Sequence, residues 1–247
     1  MEKLWKVTIS ASIVLGVVCF VVMMIYSLNK SVVITEEQDQ KGDANLKPLV
    51  ESVLEEKDNY DFIVLVNAAH GGDNKGNVVN ELQEKKITLA VGKELERLSK
   101  EGEIGIFLIR QEDTDISNEN RAEVIKKINP DLVVDLHVNA DAANERTQGT
   151  SVVYNENFYR PEATNAQLAD IMERSLVTEI QGKALGIFGD SQNKYPLLSM
   201  VEVPAVSVEM GYLTNKQEAS LLKKGNYQER IALGIFEGIQ KIREKLR

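Results

Sequence analysis

From Asp61 to the C-terminus, short apolar runs alternate with amphipathic stretches, and this alternation limits the fold more than any other feature of the 247-residue chain. Phe62–Val66 is a continuous apolar run, as expected of a strand buried on both faces. Gly105–Ile109, Leu132–Val138, Gly149–Tyr154 and Ala205–Glu209 read as further strands. Between them, Lys85–Lys100 places Ile87, Val91, Leu95 and Leu98 on one helical stripe. Asn118–Ile128 and Ala163–Glu179 also read as helices, and Asn215 with Glu218 three residues on forms a capping-box pattern. A last helix runs from about Tyr227 to Leu246. The pattern predicts an α/β fold: a single domain with a mostly parallel twisted sheet flanked by helices on both faces. In such sheets ligands bind outside the carboxyl ends of the strands.

The N-terminal part has a different character. Val7–Tyr26, "VTISASIVLGVVCFVVMMIY", carries no charge and has about the ~20 residues that span a bilayer as a helix. Lys3 and Lys6 precede it, which favours an N-inside orientation. The expected layout is a membrane anchor over residues 1–30 (transmembrane helix about 7–26), an acidic tether over 31–60 and a catalytic domain over 61–247. The expected location is therefore the cell membrane, single-pass, with the domain on the extracytoplasmic side. The formal net charge of -9 argues against nucleic acid as a partner. The one cysteine, Cys19, excludes an intrachain disulfide.

The chain has two histidines, and both fall where a strand ends. His70 follows the first strand and is itself followed by Gly71 and Gly72, and His137 closes "LVVDLHV". Parallel strands bring both to one edge of the sheet. Glu84 lies on the inward stripe of its helix, where an unpaired carboxylate is costly. A plainer role for it is a first-turn acid facing the helix dipole. Glu209 ends the run "PAVSVE", and a charge rarely finishes such a strand unless the end opens onto a site. Two imidazoles and two carboxylates thus meet at one edge. Two His and one Glu form a known catalytic zinc set with a fourth position open, and a remaining carboxylate is then free to move a proton.

Four stretches, in order, carry a resemblance: "VNAAHGG", "EKKITLA", "DLHVN" and "EMGYLTN". With "LIRQEDTD" and Arg121 between them, the region from Asp61 to Arg247 resembles the zinc-dependent N-acetylmuramoyl-L-alanine amidases. The resemblance implies one Zn²⁺ ion held by His70, Glu84 and His137, with Glu209 as the catalytic carboxylate. It implies hydrolysis of the amide between N-acetylmuramic acid and L-alanine in bacterial peptidoglycan. The layout is similar to that of sporulation or germination-specific amidases, which suggests spore cortex maturation and an accessory protein for activation or substrate delivery. Two other readings are a zinc peptidase cutting within the stem peptide and a non-catalytic, metal-dependent peptidoglycan-binding or regulatory domain. The chain departs from the family pattern at three places. Asn67 and two alanines precede His70, Asp73 and Asn74 stand where an Asp usually follows the glycines, and Asp135 replaces the usual Ser two residues before His137. Asp135 and His137 share a face by strand alternation, so Asp135 is expected to contact a ligand or add negative charge beside the metal.

Overall fold

The computed structural model describes residues 20–27, 46–100, 102–156 and 161–247. Two units divide the chain, Met1–Ala44 and Asn45–Arg247. The described part of the first is a helix over residues 20–27. The second begins with α1 (residues 46–56) and a 3₁₀ turn, Lys57–Asn59. β1 (Phe62–Ala68), β2 (Val78–Val79), β3 (Leu82–Gln83), α2 (Glu84–Ser99) and β4 (Ile104–Leu108) follow. Next come α3 (Asn118–Ile128), β5 (Leu132–Asn139), β6 (Thr150–Tyr154), α4 (Asn165–Ile180) and β7 (Ala184–Gly189). The chain ends with α5 (Pro196–Met200), β8 (Ala205–Tyr212), α6 (Lys216–Leu222) and α7 (Gly225–Leu246).

The six main strands form one sheet in the order β4-β1-β5-β8-β6-β7. β4, β1, β5 and β8 run parallel, and β6 pairs antiparallel with β8. The sheet is therefore mostly parallel, with a reversed pair, β6 and β7, at one side. Helices cover both faces, and side-chain alternation sorts the core into two clusters. Phe62, Val64 and Val66 of β1 pack with residues of α2, α4 and α7. Ile63 and Leu65 pack with residues of α1, α3 and α5 on the other face. In β5, Leu132, Val134, Leu136 and Val138 join the first cluster and Val133 the second. In β8, Val206 and Val208 join the first and Ala205 the second. The same alternation turns Asn67, Asp135, His137, Ser207 and Glu209 toward the face of α3 and α5.

The expected transmembrane helix requires correction, and so does the single-pass membrane location that depended on it. Among the described residues, no helix is long and apolar enough to cross a membrane. α7 has the length, at 22 residues, but carries Glu229, Arg230, Glu237, Lys241, Arg243, Glu244 and Lys245. Residues 7–19 of the expected span lie outside the described residues. The membrane, as a partner reached through that helix, falls with it.

Within the second unit, α1 is held by Leu46 and Val53, both buried in the cluster it shares with α3 and α5.

Candidate metal centre

His70, Glu84 and His137 come together at the carboxyl ends of β1 and β5. Their candidate ligand atoms all lie within 4.8 Å of one another. β1 delivers His70 just beyond its last residue. β5 delivers His137 on the face opposite its leucines. Glu84 is the first residue of α2, so the start of that helix lowers the carboxylate into the gap from the other side.

Glu84 is 1% exposed and is held from several directions. Its Oε2 accepts from the backbone N–H of Asn77 at 2.8 Å, and its Oε1 from that of Val138 at 3.0 Å. His70 Nε2 lies 3.2 Å from Oε2 and His137 Nδ1 3.0 Å from Oε1. Burial pushes the Glu84 carboxyl up, but the two imidazoles outweigh it and hold the group below the ordinary carboxylate range. One nitrogen of each ring thus faces the carboxylate. The other faces a side-chain oxygen: Asn74 Oδ1 at 2.9 Å for His70 and Asp135 Oδ2 at 3.0 Å for His137. Two nitrogens and a carboxylate converging at this spacing are a donor set for a divalent cation such as zinc.

The backbone around His70 is shaped for the task. His70 has φ 64°, a conformation rare outside glycine, and such strain persists where neighbours over-determine it. Arg121 Nη2 donates to the His70 carbonyl at 2.9 Å, and Arg110 Nε donates to that of Ala68 at 2.7 Å. The next turn is fastened by Asp113. It accepts from Gly72 N–H at 2.9 Å and pairs with Lys85 Nζ at 2.7 Å. Gly76 (φ 64°) passes so close that a Cβ there would stand 2.5 Å from both Glu84 Oε2 and His70 Cδ2. Gly76→Ala is therefore expected to push two of the three candidate ligands apart. A displacement of ~1 Å at a reacting geometry costs about 100-fold, which is the expected fall in kcat/KM on peptidoglycan fragments. An unchanged kcat/KM in a folded variant would show that the turn has slack the structure does not suggest.

Glu209 lies opposite His137 across the β5–β8 pair. It is 3% exposed, and burial pushes its carboxyl above the ordinary range. Oε1 accepts a hydrogen bond from the Tyr195 hydroxyl, while Oε2 is buried without a protein partner among the described residues. The Tyr195 ring also meets His137 edge-on, with centroids 5.3 Å apart. A cavity of about 150 Å³ opens here, lined in part by His70, Asn118, His137, Lys194 and Tyr195.

All four residues singled out from the sequence thus lie in one place, Glu84 included. Tyr195 was missed. The one local signal is its position before Pro196 at a helix start, which marks the helix but says nothing of what the ring touches. Asn74 and Asn67 stood out only as departures from a pattern, yet Asn74 bonds His70 and Asn67 bonds Asp135, the neighbour of His137.

Residues 64–241 match the family described as N-acetylmuramoyl-L-alanine amidase. The chain is 27% identical over 191 residues to the germination-specific N-acetylmuramoyl-L-alanine amidase of Bacillus subtilis (strain 168), across 72% of this chain and 78% of that one. It is similar to the crystal structure of an N-acetylmuramoyl-L-alanine amidase from Clostridium difficile 630. The TM-score is 0.69 at 26% identity, over 75% of this chain and 98% of that one. The CwlD amidase of Clostridioides difficile, solved in complex with the GerS lipoprotein, shares the fold. Its TM-score is 0.68 at 24% identity, over 74% and 99% of the two chains.

The chain belongs to the N-acetylmuramoyl-L-alanine amidase family. Its reaction is hydrolysis of the amide bond between N-acetylmuramic acid and L-alanine in bacterial peptidoglycan.

Proposed function

We propose that this hydrolysis uses one zinc ion held by His70, Glu84 and His137, with Glu209 as the general base. The observation that carries the reading is the convergence of those three side chains within 4.8 Å, with Glu209 directly across the strand pair from His137. Zinc bound there would supply a Lewis acid that polarises the scissile carbonyl and makes water more acidic.

The chain's own groups account for the proton. Tyr195 occupies Oε1 of Glu209, so Oε2 is the oxygen left to take a proton from the attacking water. Burial raises the affinity of that carboxylate for a proton, which brings it closer to the operating pH and makes it a better base and then a better acid. As the C–O bond forms and the C–N bond breaks, the proton passes from Glu209 to the nitrogen of L-alanine. Lactyl carboxylate and a free amine are the products. Tyr195 keeps the carboxylate pointed, and burial together with the Glu209 charge keeps the phenol protonated as a donor.

Purified muropeptides give the test. New amino termini are expected on L-alanine alone. New termini on later residues would favour the reading as a zinc peptidase of the stem peptide. A full-length protein that binds zinc and peptidoglycan without turnover would favour the non-catalytic reading. The full chain is the right material, since α1 contributes Leu46 and Val53 to the core ahead of the proposed catalytic segment 61–247.

The same reading extends to spore cortex peptidoglycan as the substrate pool, supported by the likeness to a germination-specific amidase. An accessory protein that activates the enzyme or delivers substrate is proposed on the likeness to an amidase solved with a lipoprotein.

A further inference from the structure

A directional chain of hydrogen bonds runs into His137 from α3. Arg121 is fully buried and can only donate. Its Nη1 donates to Asn67 Oδ1, and this fixes which way the Asn67 amide points. Asn67 Nδ2 must then face Asp135, and it donates to Oδ1 at 2.7 Å. The Ser207 hydroxyl donates to Asp135 Oδ2 at 2.8 Å. Asp135 is 1% exposed, and its carboxylate accepts on every side. His137 Nε2 sits 3.0 Å from Oδ2 of the same group. Nδ1, on the other side of the ring, also faces an acceptor, the Glu84 carboxylate; a cation held beside Glu84 takes the place of a proton there, and the hydrogen left to the ring is the one on Nε2, facing Asp135.

We propose that Asp135 is a positioning residue that locks His137 as the Nε2–H tautomer and so turns the Nδ1 lone pair to the cation. This role rests on the zinc reading above. Nδ1 is the nitrogen 3.0 Å from Glu84 Oε1, the carboxylate whose other oxygen faces His70 Nε2. His70 reaches the same arrangement by a different partner. Asn74 Oδ1 accepts from Gly76 N–H at 3.2 Å, which identifies it as the oxygen, so the His70 Nδ1 beside it is the protonated nitrogen. With the cation held beside Glu84, the His70 lone pair lies on Nε2, 3.2 Å from Oε2. Both rings end with their protons outward and their lone pairs inward. A ligating histidine whose other nitrogen is held this way binds metal more tightly, and removal of such a partner costs about 10–100-fold in affinity.

Asp135→Asn inverts the logic while keeping the shape. The new amide has to offer its oxygen to Asn67 Nδ2, because Arg121 holds that group in place. Its NH₂ is then left facing His137 Nε2, which becomes an acceptor and moves the ring proton to Nδ1, toward Glu84. The test uses the zinc-loaded full chain. Its two histidines make a long-range ¹H–¹⁵N spectrum simple to assign. The unsubstituted protein is expected to show His137 protonated at Nε2 with zinc on Nδ1. Asp135→Asn is expected to lower zinc affinity, measured by competition with a chelating dye, by about 10–100-fold. Zinc on Nε2 of His137, or an unchanged affinity in Asp135→Asn, would overturn the role of Asp135 and leave the zinc reading standing. Absence of stoichiometric zinc from the unsubstituted chain would overturn both. The spectrum of the unsubstituted chain decides the tautomer even if the variant fails to fold.

Discussion

Glu209→Gln is expected to lower kcat for hydrolysis of the muramoyl–alanine amide by about 10²–10⁴-fold, the usual contribution of a positioned base. Zinc content is expected to stay at one ion per chain, because Glu209 is not among the three converging candidate ligands. Gln keeps an oxygen to accept from the Tyr195 hydroxyl but cannot take a proton. Stability should move the other way. Burial raises the Glu209 carboxyl on folding above its ordinary value of 4.5. A group raised on folding stabilises fully below its unfolded pKa, and that contribution is lost as pH rises through the folded value. At pH 7 the wild-type protein therefore carries the cost of a buried carboxylate that Gln avoids. Metal-stripped Glu209→Gln is expected to melt no lower than metal-stripped wild type at pH 7, with its relative advantage shrinking as pH falls toward 4.5. A variant that keeps turnover would remove Glu209 from the chemistry. A variant that loses zinc as well would move Glu209 into the ligand set.

The second large effect is at Glu84. Glu84→Ala takes away the group both imidazoles face, and zinc affinity is expected to fall by more than the ~10–100-fold typical of changes to the outer partners of a ligand. Turnover is expected to drop to background, as it should when a chelator strips the wild-type protein. Added zinc should restore the stripped wild type but not the variant at matched concentration. The change also leaves the N–H groups of Asn77 and Val138 without their acceptor, at about 1–3 kcal/mol for each such group that stays buried. Glu84→Gln separates the two effects, since it keeps an acceptor and the side-chain volume while removing the charge. Retention of tight zinc binding in Glu84→Ala would show that the two histidines recruit a different third ligand.

The candidate site was largely legible before any coordinates because its parts sit where local rules break. His70, His137 and Glu209 are polar residues closing apolar strands, and Glu84 is a carboxylate on an inward stripe. Asp135 could be paired with His137 because residues two apart on a strand share a face. Tyr195 was not legible in this way. It reaches Glu209 from the residue just before a five-residue helix, whose position is set by Leu197 and Leu198 packing on the same face of the sheet, and no spacing along the chain encodes that. β7 escaped notice for a related reason. An edge strand with Gly186 and Gly189 and no fully buried position lacks a clean two-residue alternation. The antiparallel direction of β6 is likewise a matter of long-range pairing with β8, since its apolar run reads the same either way. The N-terminal apolar run misled in the opposite sense. Its composition is that of a membrane span, but no described helix has both the length and the apolar character to be one.

An anomalous difference map at the zinc edge, from crystals of the full chain grown with zinc, tests the central claim most directly. One peak is expected between His70 Nε2, His137 Nδ1 and the Glu84 carboxylate, with Glu209 beside it and outside bonding distance. A map with no peak there, or with zinc held by other residues, would contradict the account.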